Sequence, residues 1–147
     1  MVEDTPHAIM TNGVLLFADV SGFTALTEKY SNDKEGVSGL TNALNGYISS
    51  ICQHILGNGG DILKFAGDAI LALWKCERKD IAEAIAIATH TALEIQNRND
   101  WKMTSVGVEL RVKIAISAGK IYCTHVGMPG MSFQKFPYLG QRNHIKL

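Results

Sequence analysis

VLLFADVSGFT, residues 14–24, decides how this chain is read. From Val14 to Val20 every residue but Asp19 is apolar, the near-continuous run of a strand covered on both faces. Ser21 and Gly22 break the run, and Phe23 to Tyr30 reads as a short helix. A strand that ends in Asp, then a small-residue turn that opens a helix, leaves backbone N–H groups unbonded at the helix start. Such groups suit an anion or a phosphate. No G-K-[ST] follows, so this is not a Walker A loop, and Ser21 or Thr24 as a plain helix cap explains the turn equally well. Asp19 is the anomaly. A carboxylate in an apolar strand must be hydrated, paired or bound to a metal, because burying it alone is costly.

Downstream, residues 36–56 carry Val37, Leu40, Leu44, Tyr47, Ile48, Ile51 and Ile55 at spacings of three and four, the mark of an amphipathic helix. Gly57-Asn58-Gly59-Gly60 ends it. DILKFAGDAILALW, residues 61–74, places Gly67-Asp68 between two short apolar runs and predicts a hairpin. If this hairpin neighbours the first strand, Asp19 and Asp68 meet at one sheet edge. Their mutual repulsion would be relieved by a divalent cation, and hard oxygen donors suit Mg²⁺ or Mn²⁺. A strand-end Asp and a turn Asp, both solvated, is the plainer alternative. Lys64 is expected on one face with Ile62 and Ala66.

Residues 79–97 read as a second amphipathic helix through Ile81, Ile85, Ala88, Ala92 and Ile95, and residues 97–107 as a polar loop. Glu109 to Ala118 alternates, with Leu110, Val112, Ile114 and Ile116 on one face and Arg111, Lys113, Ala115 and Ser117 on the other. Ile121–Val126 is expected to pair back on it across Gly119-Lys120. A solvated sheet face would account for Lys64 and Lys113 as readily as a site. The order β, α, α, β, β, α, β, β suggests an α+β sheet with helices on one face. Residues 1–12 read as a tail, and 13–147 as the domain.

At 147 residues, with 46% hydrophobic and 19% charged, the chain makes one domain with a real core. Lys+Arg and Asp+Glu both number 14, which argues against a dedicated nucleic-acid binder. Cys52, Cys76 and Cys123 match no zinc or redox spacing, and no H-E-x-x-H occurs among the five histidines. The N-terminus lacks the basic and apolar regions of a signal peptide, and no apolar run is long enough to span a membrane. The expectation is a cytoplasmic protein.

VLLFADVSGFTALTEKYS (14–31) followed by GGDILKFAGDAILALW (59–74) closely resembles the catalytic domain of class III nucleotidyl cyclases, and more narrowly the first catalytic half of soluble, bicarbonate-responsive adenylyl cyclases. ELRVKIAISAGKI (109–121) is similar to the next strands of that domain, and the likeness returns at Phe136 and Gly140-Gln141. The resemblance implies a ferredoxin-like, antiparallel-rich sheet with helices on one face. It implies that Asp19, Asp68 and the Val20 carbonyl hold two Mg²⁺ or Mn²⁺ ions. Asp19, Val20, Ser21, Gly22, Phe23 and Thr24 would hold the ATP phosphates with Lys113, and Lys64 would help hold bicarbonate or, in homodimeric relatives, read the purine. The implied reaction is ATP to 3′,5′-cyclic AMP and pyrophosphate, with a complementary catalytic half supplying the rest of the site. The likeness stops after Gly140-Gln141, so the domain is expected to be incomplete at its C-terminus and weak or inactive alone. Two further readings are an inactive homologue that binds metal and nucleotide or pairs with a full cyclase, and a structural fragment with an exposed sheet edge.

Overall fold

A computed structural model describes residues 8–32, 34, 36–126 and 134–138. The chain runs through β1 (Ala8–Ser21), α1 (Phe23–Ser31), α2 (Gly36–Gly57), β2 (Asp61–Ala66), β3 (Ala69–Cys76), a 3-10 turn (Arg78–Asp80), α3 (Ile81–Asn99), β4 (Lys102–Met103), β5 (Glu109–Val126) and β6 (Gln134–Tyr138). The sheet order is β2-β3-β1-β5-β4, with β6 also on β5, and every pairing is antiparallel. Without β4 and β6 this is the βαββαβ plan of ferredoxin-like folds, so the expected fold class holds.

The alternation along β1 divides the molecule. Val14, Leu16, Ala18 and Val20 point into a core built with Ile70, Ala72 and Trp74 of β3 and with Leu110 and Val112 of β5. All three described α-helices close this core, through Leu26 and Tyr30 of α1, Tyr47, Ile51 and Ile55 of α2, and Ala84, Ala88, Ala92 and Ile95 of α3. The small residues of α3 let its backbone lie close to the sheet. Tyr47 ties α2 to the end of α3 by donating its hydroxyl to the Asn99 carbonyl at 2.7 Å. Burial there, reinforced by the nearby Asp100 charge, pushes the Tyr47 phenol up to about 12. On the opposite face a smaller apolar cluster joins Leu15, Leu73 and Ile121, with Leu63, Leu71 and Cys123 beside it.

Four expectations are corrected. β1 begins at Ala8, so residues 8–12 belong to the sheet; residues 1–7 lie outside the described ones. The apolar pattern hid this because Ile9 and Met10 are half exposed. No hairpin forms at Gly119-Lys120. β5 runs straight through, because β1 is long enough to template it from Ser21↔Arg111 to Ala8↔Thr124. The polar loop holds the end of α3 and the short β4, whose Lys102 and Met103 pair with Leu110 and Glu109. Lastly, β2 bulges between Ile62 and Lys64, so Ile62 pairs with Ala72 but Lys64 pairs with Leu71. The extra residue turns Lys64 away from the face of Ile62. Gly140-Gln141 lies outside the described residues.

Candidate active site

Asp19 is the last-but-two residue of β1 and lies on its helix-free side. Its neighbours across the ladders are Ala69 of β3 and Lys113 of β5. Ala69 pairs in turn with Ala66, so one row across the sheet reads Ala66, Ala69, Asp19, Lys113. Two alanines beside a half-buried carboxylate leave space above the sheet, and an exposed lysine stands next to it. The β2–β3 turn is two residues long, with Gly67 at φ 63° in the left-handed region such a turn requires. The carbonyl of Asp68 accepts the Val20 N–H at 3.3 Å, which fastens the hairpin tip to the end of β1. Asp19 and Asp68, both half-buried, therefore stand at the same end of adjacent strands, as the sequence suggested.

The chain then turns sharply at Gly22. Its φ is 99°, and a Cβ there would lie 2.5 Å from the carbonyl oxygen of Glu109, so both the conformation and the space demand glycine. Gly22 is also the cap of α1, whose first hydrogen bond runs from Leu26 N–H to the Gly22 carbonyl at 3.0 Å. No side chain caps the helix, and its first turn holds no acidic residue. Ser21, an alternative cap by sequence, instead donates its hydroxyl to the Arg111 carbonyl at 3.5 Å. The N–H groups of the first turn, beside exposed Phe23 and Thr24, are left for an external acceptor.

Lys64 shares the helix-free side but stands apart. Its row reads Lys64, Leu71, Phe17, Ala115, two strands from Asp19. Sequence reasoning missed a cluster beside the turn. The Arg111 guanidinium carbon sits over the Trp101 ring, 3.3 Å from its centroid, and Arg111 donates from Nε to Glu109 at 3.1 Å. No local signal marks it, since Trp101 is brought in by β4 pairing.

Among the described residues no three His, Cys, Asp or Glu side chains form a ready metal site. Two carboxylates with an adjoining backbone carbonyl fit a hard cation nonetheless. Mg²⁺ commonly takes one or two protein carboxylates and fills its remaining positions with water and substrate phosphate.

Residues 7–141 match the family described as the adenylate and guanylate cyclase catalytic domain. The chain belongs to that family. Adenylate cyclase type 10 of Oryctolagus cuniculus is 48% identical over 119 residues, covering 79% of this chain and 7% of the relative. The Homo sapiens protein of the same name is 46% identical over 121 residues, covering 80% and 8%. The chain thus spans less than a tenth of the length of these curated relatives. The adenylyl cyclase CyaB from P. aeruginosa superposes with a TM-score of 0.73 over 90% of this chain and 67% of that one, at 20% identity, a likeness of fold. The resemblance read from residues 14–31, 59–74 and 109–121 therefore holds at the level of the cyclase domain.

Proposed function

We propose that this cyclase domain is one catalytic half of an adenylyl cyclase, converting ATP to 3′,5′-cyclic AMP and pyrophosphate once a complementary half completes the site. The observation that carries the reading is the single sheet end at which Asp19, the Asp68 hairpin tip, Lys113 and the uncapped Gly22 turn converge. The name of the curated relatives supports ATP as the nucleotide.

Each group has a chemical task. Asp19, Asp68 and the Val20 carbonyl would hold two Mg²⁺ or Mn²⁺ ions, whose chemistry there would be to acidify the ribose 3′-hydroxyl and neutralise phosphate charge. The turn from Ser21 to Thr24 offers backbone N–H groups to the phosphates, and Phe23 and Thr24 flank them. Lys113 adds a cation next to Asp19, placed to follow negative charge onto the departing pyrophosphate. The 3′-oxygen bonds to the α-phosphorus as the bond to pyrophosphate breaks, and the hydroxyl proton leaves with solvent. Lys64, in its separate row, is assigned to bicarbonate or to the purine of a second site. We place the domain in the cytoplasm. No described helix is long and apolar enough to cross a membrane.

The test is cyclic AMP formation from Mn²⁺–ATP by the chain alone and mixed with a second-half cyclase domain. Activity in the mixture that Asp19→Asn removes supports the reading. A folded chain that is inactive in both, yet is stabilised to heat by Mn²⁺–ATP, leaves a nucleotide-binding homologue instead.

A further inference from the structure

We propose that Trp101, Arg111 and Glu109 form a brace that positions the phosphate turn. The inference rests on reading Ser21–Thr24 as the phosphate-holding segment. Gly22 leans directly on the Glu109 backbone, and Ser21 bonds to the Arg111 carbonyl. The turn is therefore only as well placed as residues 109–111 of β5. Among the described residues, their outer side is paired by the two-residue β4 alone. A strand that short holds an edge poorly by itself.

The side chains supply what β4 lacks. Arg111 and Glu109 form a charge-assisted hydrogen bond at 3.1 Å, two residues apart on one face of β5. The guanidinium then covers the Trp101 ring, linking β5 to the residue just before β4. Trp101 has φ 62°, a left-handed conformation that an aromatic residue adopts only when its surroundings hold it. It does so while 64% exposed, so burial does not hold it. Among the described contacts, the Arg111 guanidinium is the one that engages its ring. The brace has an electrostatic consequence as well. Glu109 and the ring occupy the Arg111 charge, and Lys113, next along the same face, remains as the cation beside Asp19.

The experiment measures Mn²⁺–ATP affinity by calorimetry on the chain mixed with a second-half cyclase domain, with the unliganded melting temperature of the chain alone recorded for every variant. Trp101→Ala and Arg111→Lys are each expected to weaken binding about threefold to tenfold, with little change in unliganded melting. Trp101→Phe, which keeps a ring under the guanidinium, should retain most of the affinity. Trp101→Gly separates ring from backbone, because glycine relaxes the left-handed conformation while removing the stack; it should bind as weakly as Trp101→Ala. Wild-type affinity in Trp101→Ala or Trp101→Gly overturns the brace. So does wild-type affinity in Arg111→Lys, which would mean that charge alone matters at that position. Absence of any Asp19-dependent binding in the mixture made with the unaltered, folded chain overturns the phosphate reading itself, and the brace falls with it.

Discussion

The two sides of β1 follow different rules. Val14, Leu16, Ala18 and Val20 face the helices, and all are essentially inaccessible to solvent. Phe17, Asp19 and Ser21 alternate with them, half-buried, on the face opposite the described helices. From Leu16 to Ser21 one strand thus sends its even positions into the core and its odd ones to the proposed site, with a period of two separating them. The Asp19 carboxylate can stand one residue from the core because the pleat sends it the other way.

This contrast can be broken experimentally. The largest effect is expected on catalysis: Asp19→Asn should lower cyclic AMP formation in the mixed assay by at least about a hundredfold. It should change unliganded stability by only about 0.5 kcal/mol, as surface-facing substitutions do. Leu16→Ala should do the reverse, costing about 2–5 kcal/mol in denaturant unfolding through a core cavity. If Asp19→Asn destabilises as much as Leu16→Ala, the division of labour is wrong.

Gly22→Ala tests the point where the two roles meet. It should cost about 1–3 kcal/mol from backbone strain alone, and the clash with Glu109 should weaken Mn²⁺–ATP binding in the same variant. Tyr47, wholly on the helix side, sharpens the comparison by pH. Its phenol titrates near 10 when unfolded and at about 12 in the fold, so the unfolded chain loses that proton first. Stability from this group is full below pH 10 and falls as pH rises from there toward 12. Tyr47→Phe should remove that part of the alkaline fall in melting temperature while leaving the Asn99 carbonyl without its partner.

Much of this was legible in the residues. The VLLFADV run, the helical spacing of 36–56 and the Gly67-Asp68 turn each have a local cause, and each formed as read. Asp19 was conspicuous because a carboxylate is out of place in an apolar strand. What could not be read was set by distant partners. The Asp19↔Lys113 pairing depends on register between strands far apart in sequence. Gly119 resembled a turn only until β1 proved long enough to pair through it. The bulge before Lys64 carries no glycine or proline to announce it, and it keeps Lys64 on one face with Ala66 while parting it from Ile62. The position of Trp101 comes from β4, a strand too short to leave a pattern.

The β1–β5 ladder has a consequence in time as well as in space. Its partners at the site end, Ser21 and Arg111, are 90 residues apart, and the separation grows toward Ala8 and Thr124. The sheet's central pairing must therefore close loops that contain every helix before it returns any contact energy. Folding of this kind belongs at the slow, millisecond-to-second end of the range. Until β5 arrives, β1 offers one apolar edge to any other unpaired strand, so a chain still being synthesised stays vulnerable to misassociation until Glu109–Val126 has emerged.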